Sequence, residues 1–166
     1  MRVLVFGGRD SKKKRRSHKT LSAINKETPI SVIIEGGATG EDRFARIWAE
    51  TRNIKVETYE ADWQDFQAVV VVPRKNKLGE WYNAAAGNLR NMKMLKESKP
   101  DMAVEFPGGR GTADMHRLVM NEMKRRTANK LPDLRYLKVE DEPALLEVHH
   151  ESHGARRTRD ALRVRR

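Results

Sequence analysis

Three short apolar runs in this sequence each end in a glycine-rich turn. They are residues 2–6 before Gly7-Gly8, residues 31–35 before Gly36-Gly37, and residues 102–106 before Pro107-Gly108-Gly109. A short apolar run closed by glycine is typical of a buried strand followed by a tight turn. Segments with helical spacing follow, as in Phe44, Ile47 and Trp48. This alternation predicts an α/β fold, a Rossmann-like three-layer sandwich with a mostly parallel sheet.

Further segments complete the predicted order of elements. We expect helices over residues 17–26, 41–52, 83–99 and 113–126, with Thr112 as the N-cap of the last, and strands over residues 55–59 and 134–139. The valine run at residues 69–72 is either a short strand or part of a loop. We therefore predict one ligand-binding domain over residues 1–140, and a polar, basic, flexible tail over residues 141–166.

The net charge of +11 is carried by two short segments. Residues 12–19 contribute six positive charges, and residues 155–166 contribute five after Asp160 is counted, so the rest of the chain sums to zero. Such segments are either a solvated loop and a frayed tail or a contact surface for polyanions. Nucleic acid is therefore a candidate partner through these two segments only.

Composition excludes several classes of protein. The absence of cysteine rules out disulfides, thiolate metal sites and a cysteine nucleophile. No apolar stretch approaches the ~18 residues of a membrane span, and the first residues lack the pattern of a signal peptide. We expect a cytoplasmic protein without a membrane partner.

The glycine-rich turns are the main candidates for a ligand site. In a parallel sheet they lie at the carboxyl ends of strands, where ligands of such sheets bind, and glycine lets the backbone approach an anion. A single turn of this kind can equally be a plain connection, but three at corresponding ends favour a phosphate or nucleotide site. None matches the G-x-G-x-x-G or Walker pattern, so we predict no standard dinucleotide or ATP-hydrolysing site. We also predict no cofactor and no metal.

The turns belong to a series of motifs found in one order in a known superfamily. The motifs are Gly7-Gly8-Arg9-Asp10; Gly36-Gly37-Ala38-x-Gly40-x-Asp42-Arg43; Ala61-Asp62-Trp63; Ala86-Gly87-x-x-Arg90-Asn91-x-x-Met94; and Phe106-Pro107-Gly108-Gly109-x-Gly111-Thr112-Ala113-Asp114-Met115. Over about residues 1–120 the chain resembles the YspA-like (cpYpsA-related) branch of the SLOG superfamily. The resemblance implies a Rossmann-like sheet that binds nucleotides or nucleotide-derived ligands, and relatives that are often dimers, so we expect a homodimer or higher homo-oligomer.

The superfamily also includes the LOG phosphoribohydrolases and DprA. In the LOG enzymes an Arg and a Glu cleave the N-glycosidic bond between a base and ribose 5′-phosphate. The resemblance assigns those catalytic positions to Arg90 and Asp114, although Asp is shorter than Glu by one methylene. The alternative for Asp114 is a first-turn acid favoured by the helix dipole.

We therefore expect a nucleotide-derived or ribose-phosphate ligand, bound by a sensor or nucleotide-processing protein. The alternatives are an N-glycosidic hydrolase of nucleoside monophosphates and a nucleic-acid-binding protein. Trp63 either stacks on a base or packs over the sheet edge. The predicted ligand-binding residues are Gly7, Gly8, Arg9, Gly36, Gly37, Gly40, Asp42, Arg90, Gly108, Gly109, Gly111 and Thr112.

Overall fold

The computed structural model describes residues 1–141 and contains seven strands and four helices in that part of the chain. The strands are β1 (Arg2–Phe6), β2 (Val32–Glu35), β3 (Lys55–Thr58), β4 (Pro73–Lys75), β5 (Trp81–Asn83), β6 (Met102–Glu105) and β7 (Arg135–Lys138). The helices are α1 (Lys14–Glu27), α2 (Glu41–Glu50), α3 (Ala86–Ser98) and α4 (Arg110–Ala128). The predicted tail beyond residue 141 lies outside the described residues.

Five parallel strands form the central sheet in the order β3-β2-β1-β6-β7. The chain runs outward from β1 to β3 on one side and then returns to place β6 and β7 on the other. The direction of winding therefore changes between β1 and β6, and a crevice forms at the carboxyl ends of strands at such a point. β4 and β5 form a separate antiparallel hairpin.

Side chains of β1 point alternately into two apolar layers. Val3 and Val5 pack with α1 and α2, where Trp48 is fully buried, whereas Leu4 and Phe6 pack with α3 and α4. This alternation follows from the two-residue period of a strand, and it places helices on both faces of the sheet. The predicted α/β fold, with its parallel sheet and three layers, is confirmed.

The structure corrects several local predictions. α1 begins at Lys14, so part of the basic run is its first turn rather than a solvated loop. α4 begins at Arg110 with Gly109 as its N-cap, and Thr112 is a buried residue of the first turn instead of the cap. The valine run is a loop before β4, which is one of the two alternatives predicted for it. α3 begins only at Ala86 because Asn83 still belongs to β5. No helix among residues 1–141 has the length and apolar character to cross a membrane.

Candidate functional site

The three glycine-rich turns meet at the carboxyl end of the sheet. The Gly8 amide donates a hydrogen bond to the carbonyl oxygen of Pro107 at 3.0 Å, and the Gly8 carbonyl oxygen accepts one from the Glu41 amide at 3.3 Å. Gly40, with φ of +68°, packs directly against the backbone of Gly8 and Arg9, where a Cβ would overlap it. The first turn is therefore held between the other two.

A crevice of about 840 Å³ opens at this meeting point. Most of the predicted ligand-binding residues line it: Gly7, Gly8, Arg9, Asp42, Arg90, Gly108, Gly109, Gly111 and Thr112. Four predicted residues do not line it: Gly36, Gly37, Gly40 and Asp114. The sheet thus brings the three turns together, but only some of their residues face the space between them.

Gly36 makes room for the side chain of Arg90. The Arg90 guanidinium lies where a Cβ of residue 36 would be, and its Nη1 donates hydrogen bonds to the carbonyl oxygens of Gly36 and, at 3.2 Å, of Tyr59. The buried Nε of Arg90 has no partner within residues 1–141. Burial lowers the pKa of Arg90 from its ordinary value, against the raising effect of Asp42 and Glu35.

Asp42 is a buried carboxyl at the edge of the crevice. Its Oδ2 accepts hydrogen bonds from the amides of Gly36 at 3.1 Å and Ala38 at 3.3 Å, whereas Oδ1 makes none within residues 1–141. Burial, together with the negative charge of Glu35, raises the pKa of Asp42 to about 6, although Arg90 and the two amides favour the charged form. This group can therefore exchange a proton close to neutral pH.

Asp114, the second residue of the predicted catalytic pair, forms a hydrogen bond and an ion pair with neighbouring side chains. Its Oδ2 accepts a hydrogen bond from Asn91 Nδ2 at 3.1 Å, and its Oδ1 pairs with Arg117 at 2.7 Å. Asn91 itself lines the crevice, and its Nδ2 also donates to the carbonyl oxygen of Gly111 at 3.3 Å. Within residues 1–141 no hydrogen bond or ion pair joins Arg90 to Asp114.

Positive charge surrounds the crevice. Arg9, Lys12 and Arg110 line it without an ion pair to any described residue, while Lys13 and Arg16 pair with Asp141 at its rim. The amino end of α4 also faces this space, and its first turn contains no acidic residue. The unpaired amides of a helix start and nearby cations together favour an anion.

Buried carboxylates fix the walls of the crevice. Glu41, with no exposed surface, accepts hydrogen bonds from Ser11 Oγ at 2.6 Å, from Arg16 Nη2 at 2.8 Å and from Ser17 Oγ. Glu35, also fully buried, accepts one from the Gly37 amide at 2.7 Å and pairs with Arg46 of α2 at 3.1 Å. The first and second turns are thus tied to the helices behind them.

Sequence reasoning missed several residues of the crevice. Lys12, Lys13, Asn88 and Asn91 line it. The charge of residues 12–19 alone predicts a solvated loop or a polyanion contact. The signal for the crevice is the position of Lys12, only two residues beyond Gly7-Gly8-Arg9-Asp10. Asn91 lies beside Arg90 in one of the motifs that carry the resemblance. This position is the sequence signal that could have identified Asn91 as a crevice residue.

The comparisons agree with the resemblance noted in the sequence. Residues 1–66 match the YAcAr model, described as the YspA, cpYpsA-related SLOG family. The match covers β1, the first two glycine-rich turns, Asp42 and Trp63. No curated protein matches the chain. Similarity to this family suggests a nucleotide-related function. The similarity to the YspA, cpYpsA-related SLOG family thus extends over residues 1–66 of the 166-residue chain.

Proposed function

We propose that this protein binds a nucleotide-derived or ribose-phosphate ligand in the crevice, with the phosphate at the amino end of α4. Such a ligand carries one to two negative charges in a small volume, and the crevice offers both backbone amides and cationic side chains. The volume of about 840 Å³ is also within the range of pockets that hold small molecules. The protein then acts as a sensor or a nucleotide-processing protein.

One observation carries the proposal, namely the convergence of the amino end of α4 with Arg9, Lys12 and Arg110. These three cations have no carboxylate partner within residues 1–141. A surface that concentrates unpaired positive charge in a concave space raises the local concentration of anions. The charge thus favours a phosphorylated ligand over a neutral nucleoside.

A binding panel tests this proposal. Calorimetry with adenosine 5′-monophosphate, ribose 5-phosphate, adenosine and inorganic phosphate should give binding of the sugar phosphates and little binding of adenosine. Arg110→Ala should weaken the binding of the phosphorylated compounds by about 10- to 150-fold, since a charge-assisted hydrogen bond contributes about 1.5–3 kcal/mol. Absence of binding for every phosphorylated compound would contradict the proposal.

Lys124→Ala is the matched control for the arginine variant. Lys124 is an exposed cation of the same helix and does not line the crevice. It changes the net charge by the same amount, so equal weakening in both variants would indicate a general charge effect rather than a phosphate site.

A second candidate function is hydrolysis of an N-glycosidic bond in the same crevice. The observation that favours it is Asp42, a carboxyl with a pKa of about 6 that lines the crevice beside Arg90. In this reaction water adds to C1′ of the ribose, the C1′–N bond breaks, and the base leaves with a proton. A carboxyl that exchanges protons near neutral pH suits this transfer.

Release of free base from nucleoside monophosphates distinguishes this second function from binding alone. If turnover occurs, Asp42→Asn should abolish it. Asp114→Asn should abolish it only if the pair assigned by resemblance performs the reaction. Binding without released base from any of the four ribonucleoside monophosphates would leave the first function and contradict the second for these substrates.

A further inference from the structure

Trp63 is an aromatic residue of the crevice that the phosphate site does not use. It lies in the turn after Asp62, lines the crevice, and keeps 38% of its surface exposed. The other crevice contacts discussed above are charged, polar or backbone groups, which bind phosphate and hydroxyl oxygens. An exposed indole in the same space offers a flat apolar surface of a different chemical kind.

The position of Trp63 is fixed from behind by a buried residue. Asn83 has no exposed surface, and its backbone amide donates a hydrogen bond to the carbonyl oxygen of Trp63 at 2.8 Å. Its side chain donates to the carbonyl oxygens of Asp65 at 3.0 Å and Val70 at 3.1 Å, and it accepts from the Val72 and Ala85 amides. The backbone and the side chain of this one buried asparagine thus hold the loop that carries Trp63.

The indole is also oriented by its neighbours. Tyr82 contacts it edge-on, with ring centroids 6.2 Å apart and planes at 65°. A Cβ on Gly87, at the start of α3, would lie 3.4 Å from Trp63 Cη2, an ordinary van der Waals distance, so the ring lies against this end of the helix. A ring held in this way loses little conformational entropy when it meets a ligand.

We propose that Trp63 is the stacking surface for the base of a nucleotide whose phosphate lies at α4. This inference rests on the proposed function, and it narrows the ligand class to a phosphorylated compound that carries a nucleobase. Stacking is tolerant of base identity because every base presents a π-face. The sugar phosphate alone would use the charged part of the crevice and leave Trp63 exposed.

The experiment compares nucleotide and sugar phosphate in three proteins. Calorimetry measures the binding of the four ribonucleoside 5′-monophosphates, separately, and of ribose 5-phosphate to wild type, Trp63→Ala and Trp63→Phe. Trp63→Ala should weaken the binding of the best nucleotide by about 5- to 100-fold, as expected for loss of a base–aromatic stack. Ribose 5-phosphate should change by less than about twofold, and Trp63→Phe should restore most of the nucleotide affinity.

Trp81→Ala is the matched control. Trp81 belongs to β5 of the neighbouring hairpin, is 55% exposed, and does not line the crevice. Its removal should leave the binding of every compound unchanged. Intrinsic fluorescence of the wild type supplies a measurement without a variant, since nucleotide should quench tryptophan emission and ribose 5-phosphate should not.

The outcomes separate this inference from the function on which it rests. Equal weakening of nucleotide and ribose 5-phosphate in Trp63→Ala would make Trp63 a structural support and overturn the stacking role. Nucleotides that bind no more tightly than ribose 5-phosphate to the wild type would overturn it as well, while leaving the phosphate site intact. Absence of binding for all five compounds would overturn both proposals.

Discussion

The guanidinium of Arg90 in α3 lies directly against the backbone of Gly36, the residue that follows β2, and donates a hydrogen bond to its carbonyl oxygen. Two motifs that are 54 residues apart in the sequence therefore form one structural unit. The glycine is required here by the side chain of another motif, and it does not face the crevice.

Gly36→Ala should consequently destabilise the protein by displacing Arg90. A Cβ at this position would overlap the guanidinium, and overpacking of this kind costs about 1–3 kcal/mol. In the Arg90→Ala background the same substitution should cost clearly less, because the overlapping atoms are gone. Urea unfolding of the two single variants and the double variant measures this coupling. We also expect Gly36→Ala to weaken ligand binding in the same direction as Arg90→Ala.

Gly109→Ala is the control for this cycle. A Cβ at Gly109 would meet nothing within 4 Å, and its φ is negative. Because Gly109 is the N-cap of α4, the substitution should cost about 1 kcal/mol, and this cost should be the same with and without Arg90. An equal cost for Gly36→Ala with and without Arg90 would contradict the relationship.

Asp42 should make the stability of the protein depend on pH between about 4 and 6. Its pKa rises from 3.8 to about 6 on folding, because of burial and the charge of Glu35. The folded state thus holds the proton more tightly, so this contribution to stability is present below about pH 4 and is lost as the pH rises through 6. The rise corresponds to about 3 kcal/mol. The free energy of unfolding of the wild type should fall by this amount relative to Asp42→Asn between pH 4 and 7.

Chemical unfolding at several pH values measures this difference. Asp133→Asn, a substitution at an exposed aspartate outside the crevice, serves as the control and should follow the wild type. If the difference in the free energy of unfolding between the wild type and Asp42→Asn stays constant across this pH range, the Asp42 carboxyl does not titrate as described.

The buried pair of Glu41 and Arg16 should be important for stability. The Glu41 side chain has no exposed surface and that of Arg16 only 13%. In Glu41→Ala the Arg16 guanidinium therefore keeps, among residues 1–141, only Asp141, which is half exposed, as its partner in a low-dielectric environment. Glu41→Ala should cost about 3–5 kcal/mol. The double variant with Arg16→Ala should cost less than the sum of the two single variants, because no unpaired charge remains.

An exposed pair provides the comparison for that measurement. Arg117, with 63% of its side chain exposed, pairs with Asp114 at 2.7 Å. Arg117→Ala should cost less than about 1 kcal/mol, as is usual for surface ion pairs. Thermal unfolding of both sets would show whether burial produces the difference, and similar losses for the two pairs would argue against it.

Deletion of residues 155–166 separates nucleotide binding from nucleic-acid binding. The unpaired crevice cations Arg9, Lys12 and Arg110 all precede this segment, so affinity for nucleoside monophosphates should stay within about twofold. Affinity for single-stranded DNA should fall, and its slope against log salt should decrease by about 0.7 for each phosphate that the tail neutralises in the full chain. An unchanged slope would show that residues 155–166 do not bind polyanions.

The sequence by itself determined the fold, because short stretches of sequence are enough to predict the strands, the helices and their order. Val3, Val5, Leu4 and Phe6 alternate within five residues, and that alternation fills both apolar layers around the sheet. The glycines after β1, β2 and β6 marked the strand ends in the same way, and parallel pairing then required the turns to meet at one edge. The start of α4 was misplaced by a few residues because Thr112, which resembles an N-cap, is buried in the first turn.

Only the tertiary structure decided which residues face the crevice. The sequence predicts Gly36 and Asp114 as site residues, and neither lines the crevice. Gly36 leaves room for the Arg90 side chain. Asp114 accepts hydrogen bonds from Asn91 and Arg117. Lys12 appeared to belong to an independent basic segment, and the start of α1 brings it to the crevice. These outcomes depend on contacts between residues far apart in the chain, and side-chain direction and burial at such contacts arise only when the helices pack on the sheet.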